Sequence, residues 1–104
     1  MNNSIFDNEN NDDTAFSTTK EKDYAVALGY DKDKNNAPIV MAKGSGEIAQ
    51  KIIKIAEDNN IEIRKDADLL QILKAVDINE EIPVEAFAAV AEIISYIYSQ
   101  NAKS

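Results

Sequence analysis

Between residues 24 and 30 the chain reads Tyr-Ala-Val-Ala-Leu-Gly-Tyr, so that Tyr24, Val26, Leu28 and Tyr30 alternate with Ala25, Ala27 and Gly29. A period of two is that of a strand, here with large residues on one face and small ones on the other. The small face suits the close approach of a helix, so the strand is expected to be covered on both sides. A polar turn over Asp31–Asn36 leads to Pro38-Ile39-Val40-Met41-Ala42, a second strand with its proline at the first position, where a missing N–H is tolerated. The two strands form a hairpin.

The period then changes. Ile48, Ala49, Ile52, Ile53, Ile55 and Ala56 recur at spacings of three and four, which predicts an amphipathic helix with Ser45 as N-cap and a stop at Asn59-Asn60. Ile61-Glu62-Ile63 reads as a short strand, and the strand–helix–strand order places it parallel to the second strand through a right-handed crossover. Asp68 with Gln71 resembles a capping box opening a short helix whose stripe is Leu69, Ile72, Leu73 and Val76. Pro83 suits the first position of a last helix, with the stripe Phe87, Val90, Ala91, Ile94, Ile97 and Tyr98 running to about Ser99. The predicted fold class is α/β: a small mixed β-sheet covered by helices, in the order β-β-α-β-α-α.

Residues 1–23 lack a sustained period. They are rich in Asn, Asp, Ser and Thr, with isolated apolar side chains at Ile5, Phe6 and Phe16, and carry six acids against two bases. Such a composition does not repay the entropy of ordering, so this stretch reads as an acidic, Asn-rich, disordered tail, with at most a weak edge strand over Thr14–Thr19. Residues 24–100 make one folded module.

Composition narrows the chemistry. With 104 residues there is room for a single core. The chain has no cysteine and no histidine, which removes disulfides, thiolate metal sites and the commonest metal ligand and general base. A net charge of −8 disfavours nonspecific binding to nucleic acid or anionic lipid. No apolar run approaches the ~20 residues that span a bilayer, and no basic start precedes an apolar stretch, so a cytoplasmic location is expected.

Three patterns imitate sites. Asp31, Asp33 and Asn35 match the first ligands of an EF-hand loop, but Asn36 stands where its glycine belongs and Ala42 where its bidentate Glu belongs, so a solvated turn is expected. Lys43-Gly44-Ser45-Gly46 at a helix start offers backbone N–H groups to an anion, without the order of a phosphate loop. It supports an alternative reading as a small anion- or nucleotide-binding regulatory domain. Glu80, Glu81 and Glu85 read as a solvated helix entry rather than an acid–base pair. No cofactor and no metal are expected.

Taken in order, Tyr24-Ala25-Val26-Ala27-Leu28, Ala37-Pro38, Ala42-Lys43-Gly44, Ile55-Ala56, Ile82-Pro83 and Val90-Ala91-Glu92 resemble the C-terminal cytoplasmic domain of the FlhB/YscU family, the export switches of flagellar and type III secretion systems. The resemblance covers Tyr24 to Tyr98, about three-quarters of the chain. It implies a role in protein export, with export substrates and export-gate membrane proteins as partners and recruitment to the inner-membrane export apparatus. Family members carry a four-helix membrane domain ahead of this one; a chain starting at Met1 without an apolar span is expected to be a stand-alone relative. They also carry Asn-Pro-Thr-His before the Tyr-Ala-Val-Ala-Leu strand, where the Asn amide attacks its own backbone carbonyl and breaks the chain. Here Lys20-Glu21-Lys22-Asp23 takes that place. A lysine ammonium on a flexible stem does not replace the amide, and Glu21 lacks the fixed φ of proline, so no self-cleavage and no enzyme activity are expected. The resemblance further implies that Ala37, Pro38, Ala91 and Ile94 line an apolar pocket for a hydrophobic N-terminal segment of early export substrates.

Overall fold

The alternation of large and small residues in the first predicted strand determines how the protein is layered. In the computed structural model, which describes residues 14–30 and 37–102, this strand is β2 (Tyr24–Tyr30). Its Val26 and Leu28 point into the larger core with Leu69, Leu70, Leu73, Val90 and Ile93, while Ala25 and Ala27 meet Ala49 and Ile52 on the other side. Helices therefore cover both faces. β3 (Ile39–Ser45) pairs antiparallel with β2, with Leu28 opposite Val40 and Ala27 opposite Ala42; Met41 is the extra residue of a bulge.

Two expectations are corrected at the start of the chain. Thr14–Glu21 forms a strand, β1, so the sheet begins ahead of Tyr24, inside the stretch read as a disordered tail; residues 1–13 lie outside the described residues. Nor is β1 an edge. The sheet order is β3-β2-β1-β4, where β4 is Glu62–Lys65. β4 pairs parallel with β1, Thr18 opposite Ile63, instead of lying beside the second predicted strand. It runs in the same direction as β3, yet β2 and β1 lie between them.

The physical reason β1 escapes the pattern is its polarity. Ser17, Thr18 and Thr19 are fully buried, and their hydroxyls have no hydrogen-bond partner among the described residues. Threonine suits a pleated backbone through its branched Cβ, and two flanking strands supply backbone hydrogen bonds that a hydrophobicity pattern does not register.

α1 (Gly46–Asp58) buries Ala49, Ile52 and Ala56; Ser45 occupies its N-cap position without a side-chain cap bond. α2 (Ala67–Lys74) is capped by Asp66, whose carboxylate accepts from the N–H of Leu69 at 3.0 Å, so the cap lies two residues ahead of the predicted Asp68. Pro83 precedes a 3-10 turn, Val84–Ala86, and α3 begins after it, spanning Phe87–Ala102. No helix among the described residues is long and apolar enough to cross a membrane.

Candidate functional site

α3 carries more apolar side chains than one face can bury. Val90 and Ile93 enter the core, Ile94 and Ile97 are half-buried, and Phe87, Ala91 and Tyr98 remain exposed. The predicted stripe thus divides into an inner face, to which Ile93 belongs, and an outer face at positions 87, 91, 94 and 98.

The outer face meets the entrance of β3. Ala37 and Pro38 stand just before this strand, and the segment Asn79–Ile82 is laced alongside: Ile82 donates to the Pro38 carbonyl at 2.9 Å, Val40 to Glu80 at 3.1 Å and Asn79 to Val40 at 2.7 Å. This pairing also occupies backbone groups that the edge strand would otherwise leave open. The product is a shallow apolar pocket of about 210 Å³, with buried Ala37, Ile82 and Val90 as floor and Pro38, Phe87, Ala91 and Ile94 around it. Ala37, Pro38, Ala91 and Ile94, separated by more than fifty residues in the chain, are thereby brought together. Phe87, Val90 and Ile82 complete the lining. The sequence presents Phe87 and Val90 as part of a helical stripe and Ile82 only within the family resemblance; the surplus of apolar positions on α3 is the available clue.

A second apolar hollow of about 160 Å³ adjoins it through Ile94, lined by Phe16, Tyr30, Ile97 and Tyr98 as well. Phe16 reaches it because it is the bulged residue of β1, between Ala15 opposite Gly29 and Ser17 opposite Leu28.

Lys20, Glu21, Lys22 and Asp23, where the resemblance implied a degenerate cleavage motif, lie at the other end of the sheet. Lys20 and Glu21 end β1, paired with Ala25 and Tyr24, and Lys22 and Asp23 form the two-residue turn. Lys22 holds φ +50°, the left-handed region that non-glycine residues rarely enter. The Asp23 carbonyl accepts from the N–H of Gly46 at 2.9 Å, tying the turn to the start of α1. Lys74 stacks on the ring of Tyr24, 4.8 Å from its centroid. From Tyr24 to Tyr30, β2 spans about 20 Å, so the turn and the apolar pocket are remote from one another.

Groups of the Lys43–Gly46 turn are engaged within the fold. Lys43, Gly44 and Ser45 lie in β3, and the Lys43 ammonium caps the end of α2, donating to the carbonyls of Lys74 at 2.9 Å and Val76 at 2.8 Å. The N–H of Gly46 is taken by Asp23. Gly44 itself answers to packing, because a Cβ there would stand 2.8 Å from Cβ of Ile48, with Cγ2 of Ile48 closer still. Gly44→Ala is therefore expected to lower stability by about 1–3 kcal/mol in urea unfolding, as the first turn of α1 is pushed away. The Asp31, Asp33 and Asn35 triplet falls outside the described residues. Among those described, no cluster of three acidic or other ligating groups can hold a metal. Glu80, Glu81 and Glu85 are exposed, with Glu81 in an isolated bridge to Ile39.

Comparison with known proteins adds the lineage. FlhB of Aquifex aeolicus, a flagellar biosynthetic protein, is 44% identical over 80 residues, which make up 76% of this chain and 23% of that protein. The chain thus spans about a quarter of the length of this relative. YlqH of Bacillus subtilis is 40% identical over 74 residues, 71% of this chain and 80% of YlqH. The crystal structure of the cytoplasmic domain of FlhB from Shewanella putrefaciens superposes with a TM-score of 0.77 at 34% identity, over 86% of this chain and 71% of that one. A family model described as the FlhB HrpN YscU SpaS Family matches residues 19–97, and the chain belongs to that family.

Proposed function

We propose that the chain is a noncatalytic docking module in flagellar or type III protein export, receiving an apolar segment of an export substrate or of an export-gate protein in the pocket of Ala37, Pro38, Ala91 and Ile94. The observation that carries this reading is the pocket itself: four residues distant in sequence converge on an apolar floor beside an exposed apolar helix face. An apolar anchor in a shallow pocket of this size gives weak, exchangeable binding, which suits a segment in transit. The flagellar names of the relatives support the choice of process. A fluorescent peptide from the N-terminal region of an early flagellar substrate tests it. Anisotropy that saturates below about a millimolar is expected, and none at that concentration contradicts the reading.

The module is proposed to act uncleaved. Lys20 offers no nucleophilic amide, and its peptide bond to Glu21 lies in a regular ladder, Lys20 being paired with both Ala25 and Lys65. Intact mass after prolonged protease-free incubation is expected to show one species near 11.5 kDa. A break between Lys20 and Glu21 would overturn this part of the account.

A further inference from the structure

The two edges of the sheet are finished differently. β3 is backed by the Asn79–Ile82 segment through bonds at Pro38 and Val40, whereas β4 ends the order β3-β2-β1-β4 with β1 as its only strand neighbour among the described residues. An open edge offers a row of backbone N–H and C=O groups to a further strand unless charge, proline or a bulge blunts it. β4 has neither proline nor bulge, and its opposite charges, Glu62 and Arg64, stand on either side of Ile63.

Pairing fixes which of these residues share a face. Thr18 stands opposite both Ala27 and Ile63, and Ala27 packs against α1, so Ile63 lies on the α1 side. Glu62 and Arg64 take the other face, where the Arg64 guanidinium lies 5.2 Å from the ring centroid of Tyr96 on α3. Arg64 Nε is 3.3 Å from the Glu62 carboxylate, an ion pair, yet makes no hydrogen bond among the described residues.

We propose that β4 is the interface of a two-fold dimer of this chain, pairing antiparallel with β4 of a second copy about Ile63 and joining the two sheets edge to edge. A two-fold axis perpendicular to the sheet keeps each face on its own side, so only residues of one face can stand opposite each other. Centred on Ile63 the strand meets this condition, and its charges match as well. Glu62 of each copy stands opposite Arg64 of the other, with Ile63 opposite Ile63. Centring on Arg64 or on Glu62 instead sets like charges against one another. Residues 61–65 also carry one acid against two bases in a chain of net charge −8, so here two acidic copies repel least. Tyr96, 44% exposed beside Arg64, adds apolar area. So short an edge gives a weak dimer, and it leaves the pocket beside β3 uncovered in both copies.

Sedimentation equilibrium of the full chain tests this. The weight-average mass is expected to climb above the 11.5 kDa of one chain as concentration approaches about a millimolar, with concentration-dependent amide shifts centred on Glu62–Lys65. Glu62→Arg leaves two cations at the matched positions and Arg64→Glu two carboxylates, so each variant alone is expected to keep the mass of one chain. An equimolar mixture of the two should associate again, because unlike chains restore both ion pairs; a defect of folding would not be repaired by mixing. The proposal is overturned by a wild-type mass that stays at one chain at a millimolar, by shifts centred elsewhere than β4, by single variants that associate like wild type, or by a mixture no heavier than its components.

Discussion

Shortening Leu28 to alanine is expected to lower the free energy of unfolding by about 2–5 kcal/mol, read as a fall in the urea midpoint at unchanged slope. Leu28 is fully buried on the large face of β2, with Ser17 and Val40 as its strand neighbours. It belongs to the same core cluster as Ala37, Ile82 and Val90, which form the pocket floor. A domain of this size is stable by about 5–15 kcal/mol, so the loss is a large part of the total. A cost below about 1 kcal/mol would mean that the large face of β2 is not the platform on which α2 and α3 rest.

The second large effect falls on binding. Pro38→Asp combined with Ala91→Asp is expected to weaken binding of the substrate peptide at least about tenfold, equivalent to about 1.4 kcal/mol, while the protein stays folded. Both side chains lie at the pocket wall: Pro38 is half-buried just ahead of β3, and Ala91 is exposed on α3. A docking apolar side chain would have to desolvate two carboxylates with no partner to offer them. The fold should tolerate the change, because the Pro38 carbonyl that accepts from Ile82 is retained and an exposed helical Asp costs only about 0.7 kcal/mol. Ile48→Asp is the control: its side chain is exposed on α1, across the sheet, and substitution there should leave affinity unchanged. Unchanged affinity in the doubly substituted protein, with its circular dichroism intact, would remove the pocket from the account.

What the chain discloses unaided is mostly its periodicity. The two faces of β2 were legible because a strand between two helical layers segregates Val26 and Leu28 from Ala25 and Ala27, and α1 because its buried residues recur with the helical period. β1 was not legible. Ser17, Thr18 and Thr19 are buried by position rather than by hydrophobicity, and only pairing with β2 and β4 reveals it. The same omission misplaced β4, since without β1 the nearest parallel neighbour was the second predicted strand. On α3, periodicity identified a helix but not which apolar residues face outward, a matter decided by what the sheet leaves uncovered. The turn chemistry at Lys20–Asp23 and the grouping of Ala37 and Pro38 with Ala91 and Ile94 came from resemblance to a family, because no local pattern joins residues so far apart.

The most direct test of the central claim, that the groove between α3 and the start of β3 receives an apolar export segment, is an NMR titration of isotope-labelled protein with the substrate peptide. The account predicts saturable shifts centred on Ala37, Ala91 and Ile94, with little change at Lys22 and Asp23 about 20 Å away along β2. Shifts centred on the Lys20–Asp23 turn, or none at millimolar peptide, would contradict it.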